Sequence, residues 1–302
     1  MRSEFANILL DKAINSPEII LVVGDLGYGV FDRYQKMLPT QYVNSGITEQ
    51  SSVSYVAGLA RMGLRPFFYS IGNFPTFRAL EQIRNDVCYM NLPVTIVAVG
   101  AGFSYGTAGY SHHLIEDLSA LTALNLDIYT PTMPNEVLLC LNQIMEQQRP
   151  AYLRLGKGGE KDFAKEHSVF KFPNELDLAP KAQVNLLVNG SIIEEVVIAT
   201  KKLLEKGVTS NIYSCWNMNF LVKEDIRFLT QLENLVVVEE HVTRGGFGSF
   251  INETLPITAK KAEVFGLPRL DLNVAGSARF LRKHYELDAE SIANRILNIL
   301  KR

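Results

Sequence analysis

A glutamate stands at the junction between a predicted strand and a predicted helix. Residues 44–50 read NSGITEQ; they follow the β-prone residues 41–43 and lead into residues 51–62, where small and apolar side chains recur at helical spacing. Thr48 is of a type that caps helices, which places Glu49 in the first helical turn. A carboxylate there complements the helix dipole, worth ~0.3–1 kcal/mol. That electrostatic role is the simplest account of Glu49, and a chemical role needs support from elsewhere in the chain.

Other side chains of reactive type lie in loops that follow apolar segments. Asp25 follows the apolar run 18–24 (EIILVVG), and His112 and His113 end a glycine-rich loop, residues 100–111. Ligands of α/β folds bind at the carboxyl ends of strands, where Asp25 is placed, and histidine suits proton transfer near neutral pH. The two histidines do not predict a metal site, because adjacent loop residues are poor co-ligands and no third ligand stands at metal spacing.

The elements that must position these residues alternate between strand and helix. Predicted strands cover residues 18–24, 42–44, 65–70, 93–99, 127–130 and 151–155, and predicted helices cover residues 3–15, 51–62, 74–90 and 135–147, with a further helix from about residue 116. Continuous apolar strands between helices predict an α/β fold with a doubly wound, mainly parallel sheet.

A second α/β pattern follows a stretch without periodicity. Residues 156–182 are rich in Gly, Lys, Glu, Asp and Pro, and from residue 184 onward strand and helix patterns alternate again, ending in a helix over 289–300. We therefore predict two doubly wound domains, residues 1–160 and a smaller one over 183–302, joined by a linker over 161–182.

Composition excludes several classes of protein. The chain has 302 residues, of which 47% are hydrophobic and 21% charged, and its formal net charge is −2. These values predict a globular protein without a nucleic-acid or membrane surface, and no run approaches the ~20 apolar residues of a membrane span. The first residues lack a signal-peptide apolar region, and Cys88, Cys140 and Cys215 are widely spaced in apolar surroundings. Buried thiols in a reducing cytoplasm are therefore expected.

Four short motifs, taken in order, resemble the transketolase family of thiamine-diphosphate enzymes. Residues 46–50 (GITEQ) are similar to the family's G-I-x-E-Q, residues 74–79 (FPTFRA) to its F-x-x-F helix start, and residues 109–112 (GYSH) to its G-x-T-H. Residues 245–249 (GGFGS), after VEE at 238–240, resemble a pattern of its C-terminal domain. Each motif alone is weak, but their order and spacing span nearly the whole chain. The resemblance implies a pyrimidine-binding domain followed by the family's C-terminal domain.

The resemblance gives Glu49 a chemical role. In the family this carboxylate hydrogen-bonds N1′ of the cofactor's aminopyrimidine and favours the imino tautomer, whose nitrogen removes the thiazolium C2 proton; the cofactor then stores the carbanion. Phe74 matches the ring that stacks on the aminopyrimidine, and Phe77 a second aromatic residue of that pocket, although ordinary core packing is the alternative for both. Asp25 would approach the cofactor.

The resemblance also implies substrate residues. His112 matches the family histidine that faces the substrate's reacting oxygens. Lys157 and Arg2 align with basic residues that hold a sugar phosphate, and a solvated surface charge is the alternative for each. The glycine-rich loop 244–249 is interpreted as structural, because this domain does not bind the cofactor in the resembling proteins.

Two departures from the family pattern bear on substrate and assembly. Ala108 stands where relatives carry an acidic residue, and Gly100 falls near a histidine position; both lost groups belong to substrate recognition, so ordinary pentose-phosphate specificity is in doubt. The family's G-D-G…N magnesium–diphosphate motif has no counterpart in this chain, and Gly24-Asp25-Leu26-Gly27 does not match it.

The sequence therefore predicts the C-terminal subunit of a split transketolase-like enzyme of the cytoplasm, which moves a two-carbon ketol unit between sugars. A separate N-terminal subunit would bind Mg²⁺ and the diphosphate, with a homodimer of this chain inside an α2β2 heterotetramer, and Phe74 would be exposed until the partner covers it. The alternatives are a 2-oxo acid dehydrogenase β subunit, a deoxyxylulose-phosphate-synthase-like enzyme using pyruvate, and a non-catalytic scaffold subunit.

Overall fold

The computed structural model describes residues 1–163, 174–177, 181–219, 223–268 and 272–301, and the predicted linker falls partly outside these ranges. Within the described residues, six strands form a first sheet: β1 Ile19–Val23, β2 Tyr42–Asn44, β3 Arg65–Ile71, β4 Thr95–Val99, β5 Asp127–Tyr129 and β6 Ala151–Leu155. The helices of this part are α1 Arg2–Ile14, α2 Asp32–Met37, α3 Glu49–Arg61, α4 Asn73–Phe77, α5 Leu80–Gln82, α6 Asp117–Leu121 and α7 Glu136–Gln147.

All pairings in the first sheet are parallel. The strand order is β2-β1-β3-β4-β6-β5. Leu21 of β1 lies opposite Tyr42 of β2 at one side of the sheet, and Tyr129 of β5 lies opposite Leu153 of β6 at the other. β1, β4 and β6 are buried along their whole length, as expected for strands covered by helices on both faces. The predicted doubly wound parallel sheet is thus confirmed. Because all six strands point the same way, the loops that follow them meet at one edge.

The second sheet contains five of the described strands, in the order β11-β10-β8-β9-β7. They are β7 Asn174–Asp177, β8 Val184–Asn189, β9 Ser210–Ser214, β10 Leu235–Val242 and β11 Glu263–Leu267, with helices α8 Ile193–Glu205, α9 Lys223–Gln231, α10 Phe247–Thr254, α11 Ala278–His284 and α12 Ala289–Leu300. Four strands pair in parallel, and β7 lies antiparallel to β9 at the edge. β7 falls inside the range predicted to be a linker, so that range contains a strand that the sequence did not predict.

One apolar layer is shared by the two sheets. Residues of alternate parity in β1 point to opposite faces, so that Leu21 packs with α1 and α7 while Val22 packs with α3. The layer that contains Val22 and α3 continues without interruption to Leu187 of β8 and Phe247 of α10. The far face of the second sheet packs on α8 and α12. The core therefore runs across both sheets.

A buried ionic network lies at the same junction. Arg154 of β6 donates from Nε to Asp117 Oδ2 at 2.9 Å and from Nη2 to the carbonyl oxygen of Leu114, and only 2% of its side chain is exposed. Arg154 Nη2 also lies 3.5 Å from the carbonyl oxygen of Glu240 in β10. Arg282 of α11 donates to the Glu240 carboxylate at 2.7 Å. These buried charges are paired, which is the condition under which a protein interior tolerates them.

Local structure differs from the sequence prediction in two places near the sheet edge. The single helix predicted over 74–90 is instead α4, then α5, then a π-helical segment Ile83–Cys88. Thr48 does precede α3, but its hydroxyl donates to the carbonyl oxygen of Ser45 at 2.6 Å and caps no helical N–H.

Among the described residues no helix is long and apolar enough to cross a membrane. Cys88, Cys140 and Cys215 are buried free thiols, as predicted.

Candidate active site

The candidate residues come from loops at one edge of the first sheet. Glu49 follows β2, Phe74 follows β3, His112 ends the loop after β4, and Lys157 follows β6. The parallel sheet therefore brings together side chains that are more than a hundred residues apart in the sequence. Such an edge is where open α/β sheets bind ligands.

Glu49 is a buried carboxylate at the first turn of α3. Its side chain is 5% exposed, and Nη1 of Arg78 lies 3.1 Å from each of its two oxygens. Arg78 itself is 49% exposed. The carboxylate is thus buried and held by one cation that reaches in from the surface.

Phe74 lies directly beneath the same cation. The guanidinium carbon of Arg78 is 4.2 Å from the centroid of the Phe74 ring, a cation–π arrangement. Phe74 and Phe77 line a cavity of about 520 Å³ together with Arg78. Phe77 is 41% exposed, whereas Phe74 is half-buried. The structure therefore differs from the expectation that Phe74 is exposed in the isolated chain, because Arg78 covers it.

His112 lies next to this cavity, against Phe74. Its ring meets Phe74 edge-on with centroids 5.3 Å apart, and Ser111 Oγ lies 3.0 Å from His112 Nδ1. Asn73 fixes this loop by donating from Nδ2 to the carbonyl oxygens of Ser111 at 3.0 Å and His113 at 2.7 Å. His112 is partly exposed and lies against Phe74.

His113 points away from the cleft. It is fully buried, with Nε2 3.1 Å from the carbonyl oxygen of Gly106 and its ring edge-on to Phe103 at 5.2 Å. The described residues contain no group of three or more His, Cys, Asp or Glu side chains placed to hold a metal ion.

Tyr105, which was not predicted from the sequence to be a site residue, contacts the remaining candidates. Lys157 Nζ lies 4.8 Å from the centroid of the Tyr105 ring, and the His112 ring is 6.5 Å from it. Burial raises the pKa of Tyr105, and the neighbouring Arg2 charge and hydrogen bond oppose that increase. Arg2 and Lys157 thus both lie near one aromatic ring beside His112.

Tyr105 also explains the glycine at position 100. Gly100 has a φ of +102°, and a Cβ there would lie 2.3 Å from Cδ2 of Tyr105. The Tyr105 ring therefore occupies the space that a side chain at position 100 would need. Gly100 and Tyr105 belong to the same glycine-rich loop, which is the link between them that the sequence shows.

Asp25 lies in the loop after β1, apart from the Glu49–Phe74 pair. Its carboxylate accepts from Tyr28 Oη at 2.7 Å and from Asn44 Nδ2 at 3.2 Å, and these hydrogen bonds lower its pKa. Asn44 immediately precedes the turn that leads to Glu49, and its Oδ1 accepts from Gly46 N–H at 2.9 Å. Asp25 therefore braces this turn, and its carboxylate is exposed at the sheet edge.

Comparison with known proteins identifies both halves of the chain. A family model described as "Transketolase, pyrimidine binding domain" matches residues 1–159, and one described as "Transketolase, C-terminal domain" matches residues 176–292. The chain is similar to one of the subunits of the apulose-4-phosphate transketolase of Actinobacillus succinogenes, with 30% identity over 97% of this chain and 97% of that protein.

Two further matches extend the comparison. The 1-deoxy-D-xylulose-5-phosphate synthase of Clostridium kluyveri is 28% identical over 98% of this chain, which spans only 48% of that enzyme. A solved structure titled "Split gene transketolase, inactive beta4 tetramer" superposes with a TM-score of 0.86 at 26% identity, covering 99% of this chain and 98% of that one.

Proposed function

The chain belongs to the transketolase family, and we propose from this premise that it is the C-terminal subunit of a split, thiamine-diphosphate-dependent transketolase-like enzyme. In this proposal it transfers a two-carbon ketol unit between sugars, together with a separate subunit that holds Mg²⁺ and the diphosphate. Relatives that the chain spans almost end to end support a subunit of this size, whereas it spans about half of the deoxyxylulose-phosphate synthase that it matches.

The observation that carries the proposal is the cradle formed by Glu49 and Phe74. In the structure both side chains hold a single planar cation, the Arg78 guanidinium, which is hydrogen-bonded to the carboxylate and lies over the ring. An aminopyrimidine is also planar and offers hydrogen-bonding nitrogens at its edge. The two residues therefore fit the pyrimidine half of thiamine diphosphate.

Thiamine diphosphate, when bound, supplies a carbon nucleophile for the ketose carbonyl and holds the two-carbon unit during transfer. Glu49 would share a proton with N1′ of the aminopyrimidine, and its burial excludes water that would compete for that hydrogen bond. Phe74 would support the ring by offset stacking, with Phe77 beside it on the cavity wall. Replacement of the carboxyl group by an amide would remove the group that shares this proton while keeping the shape of the side chain.

His112 is proposed to handle protons on the substrate. Ser111 Oγ at Nδ1 steadies the ring, which leaves Nε2 as the nitrogen for exchange with a substrate oxygen. Lys157 and Arg2, which both lie near Tyr105, are proposed to bind an anionic substituent such as a sugar phosphate. Asp25 is assigned a supporting role near the cofactor through its contact with Asn44.

A partner subunit is proposed because large apolar side chains are exposed at this edge of the sheet. Large apolar side chains are exposed around the cleft, with Ile47 72%, Tyr28 76% and Tyr110 53% exposed. An exposed apolar surface of this kind normally marks an interface. The diphosphate also needs Mg²⁺ with oxygen ligands and helix N-terminal amides. We place these on the partner, in an α2β2 assembly with a homodimer of this chain at its core, in the cytoplasm.

The first experiment measures activity of the chain with its copurifying partner. Ketose donors, phosphorylated and not, are assayed with aldose acceptors, and pyruvate is included as a donor. Ketol transfer by the complex and not by either chain alone is the expected result. Release of carbon dioxide from pyruvate would instead support synthase chemistry, which the similarity to the C. kluyveri enzyme keeps as the second candidate.

The second experiment is calorimetry of the purified chain alone with thiamine diphosphate and Mg²⁺. A chain that supplies only the pyrimidine half of the site is expected to show no micromolar binding, since cofactor binding stabilises only the assembled complex. Micromolar binding without a partner would contradict the split-site proposal.

A further inference from the structure

Arg78 makes both of the contacts that a bound aminopyrimidine would make. Its Nη1 is 3.1 Å from each oxygen of Glu49, and its guanidinium carbon is 4.2 Å from the Phe74 ring centroid. The group is planar, donates hydrogen bonds at its edge and lies over an aromatic ring. A side chain of the protein thus occupies the position that the proposed function assigns to a ligand.

These two occupants exclude each other. A ring that stacks on the face of Phe74 covered by Arg78 needs the volume in which the guanidinium lies, because atoms in contact approach no closer than about 3.5 Å. A ligand that hydrogen-bonds Glu49 from the same side also competes for its oxygens. We propose that Arg78 is a placeholder: in the free chain it neutralises Glu49 and covers Phe74, and the aminopyrimidine displaces it on binding. This inference rests on the proposed function and adds a residue that competes with the cofactor.

The position of Arg78 allows its side chain to move away from Glu49 and Phe74. Phe77 ends α4 and Leu80 begins α5, so Arg78 lies in the short junction between two helices, and about half of its side chain is already in solvent at 49% exposure. A side chain anchored by its tip alone can rotate outward without moving either helix. The fully buried Arg154, whose nitrogens contact Asp117 and backbone carbonyls, could not do this.

The placeholder also protects the free chain from a buried charge. Glu49 is 5% exposed, and removal of its cation would leave an uncompensated carboxylate. Arg78→Ala should therefore lower the stability of the free chain and at the same time raise its affinity for an aminopyrimidine. If the ion pair were purely structural, Arg78→Ala would lower both the stability of the chain and its affinity for the aminopyrimidine. A lower stability together with a higher affinity therefore distinguishes the placeholder.

The test uses the full chain and 4-amino-2-methylpyrimidine as the probe, with binding followed by ligand-observed NMR. Arg78→Ala is expected to bind the probe about tenfold more tightly than the wild type, the factor expected for loss of an exposed ion pair and cation–π contact. Arg78→Lys, which keeps the charge but has no planar face, should fall between the two. Arg84→Ala is the matched control, because Arg84 is an exposed arginine further along the same segment and contacts Asn85. Thermal unfolding of the same samples reports stability.

The outcomes separate the two proposals. Equal or weaker probe binding by folded Arg78→Ala and Arg78→Lys would overturn the placeholder, and the proposed function would stand if Phe74→Ala abolished the binding that remained. Absence of probe binding in every variant, Arg78→Ala included, would overturn the placeholder, because no site for the aminopyrimidine would then exist in the free chain; the proposed function, which requires binding only in the assembled complex, would be decided by the activity measurement above. Tighter binding in Arg84→Ala as well would show a general charge effect, which also contradicts a specific role for Arg78.

Discussion

Acidification is expected to destabilise the fold through one buried histidine, His241 of β10. Its Nε2 accepts from the Leu118 N–H at 3.2 Å, and its Nδ1–H donates to the Val242 carbonyl oxygen at 2.7 Å. These two hydrogen bonds require a neutral imidazole with its proton on Nδ1. A second proton, on Nε2, would point at the N–H donor of Leu118. Burial lowers the pKa of His241 from 6.5 to about 4; the nearby Asp117 carboxylate opposes this decrease and Arg154 adds to it.

The size of the effect follows from the two pKa values. The unfolded chain binds a proton at His241 as the pH falls through 6.5, whereas the native chain does not until about pH 4. The unfolded state therefore holds more protons in this window, and the free energy of unfolding decreases as the pH decreases. The stabilisation is fully present above pH 6.5. At pH 5 the loss from this residue alone is on the order of 2 kcal/mol.

Urea unfolding followed by circular dichroism at pH 7.5 and pH 5.0 measures this loss. Other groups also titrate, so the informative quantity is the difference between the wild type and His241→Gln in their pH dependence. The variant is expected to be less stable at pH 7.5 but to lose about 2 kcal/mol less on acidification. His284→Gln, at an exposed histidine, is the control. Equal pH dependence in the wild type and His241→Gln would refute the reasoning.

Four further predictions concern the candidate site. Glu49→Gln is nearly isosteric and should fold normally. In NMR of the assembled enzyme it should slow C2 proton exchange of the bound cofactor by orders of magnitude. Exchange at the wild-type rate would contradict the role assigned to Glu49. His112→Ala should lower kcat with cofactor affinity unchanged in calorimetry, and a collapse of affinity instead would make His112 a cofactor-site residue. Lys157→Ala should raise KM for phosphorylated sugars more than for unphosphorylated analogues, so equal increases would contradict phosphate binding. Gly100→Ala should lower the free energy of unfolding by about 1–3 kcal/mol, because the new Cβ meets Tyr105 at a positive φ; an unchanged urea midpoint would show that the loop adapts.

The parallel strands could be predicted from the sequence because burial on both faces leaves a clear pattern. β1 (IILVV) has no polar side chain and β4 (TIVAV) has only Thr95 at its start, so neither run shows the alternation that would mark a solvent face. Strand-to-helix junctions then placed Glu49, Phe74 and His112 at one edge without any knowledge of distances. Topology alone was sufficient for that step.

Segments that depend on tertiary contacts could not be predicted in the same way. The apolar spacing over 74–90 is compatible with one helix, and nothing in it shows where helical hydrogen bonding changes to the π form of Ile83–Cys88. β7 is a four-residue edge strand whose pairing with β9 is set by the second sheet. Short edge strands carry little periodicity of their own.

The missed site residues are long side chains in motifs that were recognised. Arg78 directly follows Phe77 in the F-x-x-F segment, and Tyr105 lies in the same loop as Gly100. Residue type shows that each can bind or stack, but the direction of a flexible side chain depends on its neighbours in the fold. For Arg78 those neighbours are Glu49 and Phe74, which follow different strands.

The junction between the two sheets has a consequence for how the chain can be divided. Sequence similarity separates it into two family modules, yet Arg154 of the first sheet contacts the backbone of Glu240 in the second, and Val22 shares an apolar layer with Phe247. A gene cut between the modules would remove the Glu240 contact from Arg154 and would expose part of the shared apolar layer on each of the two fragments. Evolutionary module and physical unit therefore do not coincide here, and exchange of either half between relatives requires the junction residues to be exchanged with it.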